Sequence, residues 1–99
     1  MSDEYQIDIP QSFIALFVQA GRQKPGEPRS VVAARYEMCE DLATLLSETA
    51  SNMLFSLGIT QADVLQRCRL GLKGDDAVVT KAEADWVIKR LAEQLNWPM

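Results

Sequence analysis

The chain has 99 residues, of which 47% are apolar and 24% charged, with 10 basic residues against 14 acidic and no histidine, for a net charge of −4. That length is one domain's worth, the apolar content is too high for a disordered chain, and no apolar run approaches the ~20 residues of a membrane span. The absence of histidine removes Ser–His and Cys–His pairs, histidine metal ligands and an imidazole pH switch.

The opening, MSDEYQIDIP, carries acids where a signal peptide carries Lys or Arg and has no long apolar stretch, so a cytoplasmic location is expected. Tyr5, Ile7 and Ile9 alternate with polar residues and suit a brief extended segment. Residues 11–18, QSFIALFV, predict a short helix opened by Pro10 or Ser12. A buried strand is the alternative, because eight apolar-rich residues do not reveal their period. The stretch GRQKPGEPRS at 21–30 reads as an exposed basic loop rich in Pro and Gly.

From Val31 to Leu57 there is neither Gly nor Pro, and Ser30 is placed to cap a helix. Val32, Tyr36, Cys39, Ala43, Leu46, Ala50, Met53 and Leu57 recur at steps of three and four, with Leu42, Leu45 and Leu54 widening the stripe. Glu37, Glu40, Asp41 and Glu48 lie largely on the other side, and the polar cluster from Ser47 to Asn52 marks where a kink would fall. Gly58 suits a left-handed end to this helix. Thr60-Gln61-Ala62-Asp63 resembles a capping box with Asp in place of the usual Glu, opening a helix over 61–71 that carries Val64, Leu65, Cys68 and Leu72. Asp75-Asp76-Ala77-Val78-Val79 reads as a connector, starting in a turn and able to hold one extended stretch. Thr80-Lys81-Ala82-Glu83 is a fuller capping box, opening a helix over 81–95 with Ala84, Val87, Ile88, Leu91 and Leu95 on one face. Asn96 and Pro98 stop that helix, and Trp97 is expected to fold back onto apolar surface. The reading is a single all-α domain over 1–99: a small bundle of three main helices at about 31–57, 61–71 and 81–95, plus the short N-terminal helix or extended segment.

No chemical constellation stands out. The five glycines form neither a phosphate-binding loop nor a dinucleotide fingerprint, and no cofactor is expected. Cys39 and Cys68, far apart and unaccompanied by histidine, are not a zinc pattern and read as buried thiols. Asp75, Asp76, Glu83 and Asp85 lack the spacing and central Gly of a calcium loop. Glu37 and Asp41 face one way at a helical spacing, but a general acid–base pair needs one of them desolvated, and a solvated acidic face is the simpler reading.

Binding remains. Arg22, Lys24, Arg29 and Arg35 against Glu27 give the loop region a local charge of +3, enough to touch nucleic-acid phosphate, though no aromatic residue is interleaved there for stacking. The 58–70 segment, with Gln61, Gln66, Arg67 and Arg69, has the outline of part of a helix-turn-helix. The basic loop and the acidic stretch 37–48 are complementary in charge and suit a protein partner or a second copy of the chain. Phe13, Phe17, Trp86, Trp97 and Met99 are the candidate apolar contacts. Trp86, beside rather than within the main stripe of its helix, is the aromatic most expected to be exposed.

The stretches IDIPQSFIALFV (7–18), AARYEMCEDLATLL (33–46), LGIT (57–60) and EADWVIKRLAEQLNW (83–97) together resemble a group of small bacterial helical proteins sometimes labelled "ATPase with chaperone activity". The resemblance implies association with a larger ATPase or chaperone machine and supplies no site residue. The expectation is thus a small interaction module, adaptor or accessory subunit without catalysis, with nucleic-acid binding through residues 22–35 as the alternative.

Overall fold

The computed structural model of the chain describes residues 8–18, 25–74 and 77–98. Every regular element among them is helical: α1 (Gln11–Ile14), continued by a 3₁₀ turn (Ala15–Phe17), then α2 (Arg29–Leu57), α3 (Gln61–Gly71) and α4 (Lys81–Leu95). Packing divides the chain into two units, 1–37 and 38–99, with the boundary inside the continuous helix α2.

In the N-terminal unit the helical reading of 11–18 prevails over the strand. Pro10 opens α1, its carbonyl accepting from the N–H groups of Phe13 at 3.0 Å and Ile14 at 3.1 Å. Proline suits that place because its fixed φ is already helical and it has no N–H to leave unpaired. Phe13 is fully buried, its ring centroid 5.5 Å from that of Phe17 and 5.6 Å from that of Tyr36, the latter edge-on. Val18 forms an isolated antiparallel bridge with Pro25, and Gly26 N–H donates to the Phe17 carbonyl at 2.8 Å. The alternating residues Tyr5 and Ile7 lie outside the described residues, as does 21–24 of the expected loop.

The start of α2 corrects the sequence reading. The helix begins at Arg29, with Ser30 already inside it, because the Pro28 carbonyl accepts from Val31 N–H at 3.0 Å and Val32 N–H at 3.1 Å. At 29 residues, α2 is roughly 43 Å long. Three of its hydroxyls bond back to the helix: Thr44 Oγ1 donates to the Glu40 carbonyl (3.1 Å), Ser47 Oγ to Thr44 (2.6 Å) and Ser56 Oγ to Asn52 (2.7 Å). Helical structure runs unbroken through the polar cluster Ser47–Asn52.

In the C-terminal unit, Ala50 of α2, Val64, Leu65 and Cys68 of α3, and Ile88, Leu91 and Ala92 of α4 make one buried cluster. Leu46, Met53, Leu54, Ile59, Leu72, Leu95 and Trp97 close around it, so Trp97 does fold back onto apolar surface. Two cross-links orient α2 and α4. Arg90 pairs with Glu40, and Gln94 Nε2 donates to Thr44 Oγ1 at 3.3 Å. Moving four residues along α2 moves the partner four residues along α4 in the same sense, so the two helices run parallel. Arg69, near the end of α3, pairs with Asp85, near the start of α4, across the short connector.

Local chemistry sets the ends. Gly58, at φ 62°, turns the chain out of α2 in the left-handed region. Thr60 Oγ1 accepts from Asp63 N–H at 3.0 Å, but the reciprocal bond is absent, since Asp is one methylene shorter than Glu. At Thr80 the box is complete: Glu83 N–H donates to Thr80 Oγ1 (3.1 Å) and Thr80 N–H donates to Glu83 Oε1 (2.9 Å). Asn96, at φ 62°, closes α4, with its N–H on the Glu93 carbonyl and Trp97 N–H on Ala92, the paired bonds of a Schellman end. Val78 and Val79 lie in a bend rather than an extended stretch, Val79 buried and Val78 exposed, while Asp75 and Asp76, expected to start a turn, lie outside the described residues.

Candidate functional site

Helix α2 carries two faces of different character. Inward lie Cys39, Ala43 and Ala50, all fully buried, small side chains that permit close approach to neighbouring elements. Leu42, Leu46, Met53 and Leu54 flank them and are half-buried. Glu40 sits at the edge of this side and is neutralised. Its two carboxylate oxygens accept from Nε and Nη2 of Arg90, each at 2.8 Å, while Nη1 of Arg90 reaches Glu93 at 3.3 Å. The forked hydrogen bonds from Arg90 hold the Glu40 carboxyl below its ordinary value and raise Arg90 in turn.

The outward face is different. Asp41, Leu45, Glu48, Asn52 and Phe55 are all exposed and follow one another at steps of four, three, four and three. That spacing places them in one lengthwise seam of a helix. Leu45 is 70% exposed and Phe55 86%. The ten residues between them correspond to ~15 Å along the axis. No Lys or Arg occurs between Arg35 and Arg67, and neither Asp41 nor Glu48 has an ion-pair partner among the described residues.

The sequence-predicted contact residues scatter by comparison. Arg22, Lys24 and Met99 lie outside the described residues. Arg29 is exposed and Arg35 half-buried, and both are engaged in interactions. Phe13 is core of the N-terminal unit and Phe17 is half-buried beside it. Trp86, expected to be exposed, is only 8% exposed. The reason is that α4 is covered over much of its circumference. Trp86 and Ile88 project roughly 160° apart at 100° per residue, yet both are buried, as is Glu83. Trp97 is half-buried on the core cluster. Of the stripe expected to face inward, Leu45 is turned outward and Leu57, at the last turn of α2, is half out in solvent. Phe55 was not singled out by sequence at all. The signal that could have found it is the four-three-four-three seam from Asp41, which the stronger inward stripe overshadows.

Other arrangements offer less. An open depression of about 270 Å³ is lined by Ala62, Leu65, Gln66, Arg69, Ile88 and Pro98. A second, of about 340 Å³, is lined by Lys89, Ala92, Glu93 and Trp97. Arg69, a candidate base reader, is occupied by Asp85. Glu37 and Asp41 are both exposed, so neither is desolvated as a general acid would need. Cys39 and Cys68 are buried and not joined in a disulfide, and burial pushes the Cys68 thiol up from its ordinary value. Among the described residues no three His, Cys, Asp or Glu side chains gather as a metal site, and no helix is long and apolar enough to cross a membrane.

Neither a scan against protein-family models nor searches of curated proteins and of solved structures return a match to the chain. What defines a class here is therefore the architecture itself: an all-α chain of three main helices with a short N-terminal helix, carrying an exposed, partly apolar and acidic helix face.

Proposed function

We propose that the chain is a small, non-catalytic cytoplasmic interaction protein, an adaptor or accessory subunit that works by binding another protein. One observation carries this reading: α2 holds Leu45 and Phe55 out in solvent although the same helix has a separate buried face to fold with. Two large apolar side chains left this far out in solvent along one polar-rimmed helix seam are what a surface covered by another molecule would carry. The resemblance to small bacterial proteins labelled as chaperone-linked ATPases favours a larger ATPase or chaperone as the partner.

A photo-crosslinking residue placed at Phe55, with a control at the exposed Arg67, tests this in native lysate. One protein recovered from the Phe55 position and absent from the control supports the reading. A purified chain that hydrolyses a nucleotide at a rate abolished by a point substitution overturns it. A salt-sensitive shift of DNA or RNA that is lost when Arg22, Lys24, Arg29 and Arg35 become Glu would favour the nucleic-acid alternative instead.

A further inference from the structure

We infer that the outer face of α2 docks a basic amphipathic helix, whose apolar residues cover Leu45 and Phe55 and whose Lys or Arg side chains meet Asp41 and Glu48. The inference rests on the interaction reading above and specifies its surface and the chemistry of its partner. The step pattern 41, 45, 48, 52, 55 is the spacing by which one helix meets another along a seam. Leu45 and Phe55 supply two apolar anchors, 70% and 86% exposed. They lie ~15 Å apart along the axis, a span that a second helix matches in about three turns. Between and beside them stand Asp41 and Glu48, exposed and unpaired, with Asn52 as the polar member.

Charge selects among the occupants. The inward acid, Glu40, already has its base in Arg90. The outward acids have none, and α2 offers no base after Arg35. Two copies joined symmetrically through this face would set carboxylates against carboxylates with no cation between them, which disfavours a second copy. An anionic lipid surface is repelled for the same reason. A cationic helix gains at both points, and the apolar anchors exclude water around the charged contacts.

The test is a selection from a displayed library of helical peptides against the full-length protein, followed by binding measurements on synthetic copies of the peptides selected. Enriched peptides should be net positive with two apolar positions at helical spacing. Phe55→Ala and Leu45→Ala should each weaken binding about tenfold, as should the double change Asp41→Lys with Glu48→Lys, and added salt should weaken the wild-type complex. Gln66→Ala should leave binding unchanged. All these positions are exposed, and circular dichroism checks that each variant remains folded. Enriched peptides that lack bases, or that bind Phe55→Ala as tightly as wild type, overturn the inference. So does a free protein that is dimeric in solution and becomes monomeric on Phe55→Glu, since a second copy would then own the face. Peptides whose binding depends on Trp97 instead would sink this surface and leave the interaction reading standing. An empty selection together with no cross-link at Phe55 would sink both.

Discussion

Truncating Phe55 and Leu91 to alanine should separate surface from core by several kcal/mol. Leu91 is fully buried in the cluster shared by α2, α3 and α4. Removing such a side chain costs about 2–5 kcal/mol, the transfer of its lost methylenes plus the cavity left behind. A chain of this size has roughly 5–15 kcal/mol of stability in all. Leu91→Ala should therefore lower Tm by at least about 8 °C. Phe55 is 86% exposed, so little of its area is withdrawn from water. Fully burying a Phe is worth about 1.5–3 kcal/mol, and the covered share here accounts for about 0.2–0.4 kcal/mol. Alanine's better helix propensity returns a similar few tenths. The net change for Phe55→Ala should fall within about 0.5 kcal/mol of zero. Urea unfolding followed by circular dichroism measures both, with an unchanged slope confirming that the same transition is read. A loss above about 1.5 kcal/mol for Phe55→Ala, or a wild-type midpoint that rises with protein concentration and stops doing so in Phe55→Ala, would show Phe55 covered in solution and refute its assignment to the surface.

The Glu40–Arg90 pair makes stability depend on pH. Because the folded carboxyl lies below its ordinary value, its contribution is complete above the unfolded pKa and fades as pH falls through the lowered folded value. Arg90→Met should cost about 1 kcal/mol near neutrality, a figure held down by solvent screening of a partly exposed pair, and the difference from wild type should vanish in acid. Thr80→Ala should cost about 1–2 kcal/mol and exceed Thr60→Ala in thermal melts, because Thr80 anchors a reciprocal pair of bonds and Thr60 only one. Both thiols should react slowly with a chromogenic disulfide reagent in the native protein and fast in urea, since Cys39 and Cys68 are buried and burial holds Cys68 protonated. Fast native labelling of Cys68 would contradict the packing of α3.

What the sequence disclosed follows from how local each cause is. The bounds of α3 and α4 are set by neighbours within a few residues: Thr60 and Thr80 with their acids, and Asn96 with its left-handed turn. Those signals are complete in the chain order, and the structure repeats them. The start of α2 is also local, but Pro28 outcompetes Ser30 because a proline carbonyl at that point already accepts the first helical bonds. The Glu40–Arg90 pair joins residues fifty apart and is invisible until α2 and α4 are set side by side. Trp86 and Leu45 fail for one reason. Periodicity identifies residues that share a stripe but not the width of the surface that covers it. On α4 that cover extends well past the stripe and takes in Trp86, whereas on α2 it stops short of Leu45.

This difference in cover gives the outer face of α2 its meaning. A solvated helix face is satisfied by polar residues, and Asp41, Glu48 and Asn52 supply them. Leu45 and Phe55 break that pattern without gaining burial, and phenylalanine is also a poorer helix former than alanine. Folding therefore gains almost nothing from either side chain, while solubility is harmed by both. A local rule broken with no compensating gain in the folded chain points outside the chain for its compensation. The unpaired carboxylates in the same seam narrow what can supply it to something cationic, and the helical spacing narrows the shape. If Phe55→Ala leaves the fold intact and removes binding, folding and function are carried by opposite sides of one helix.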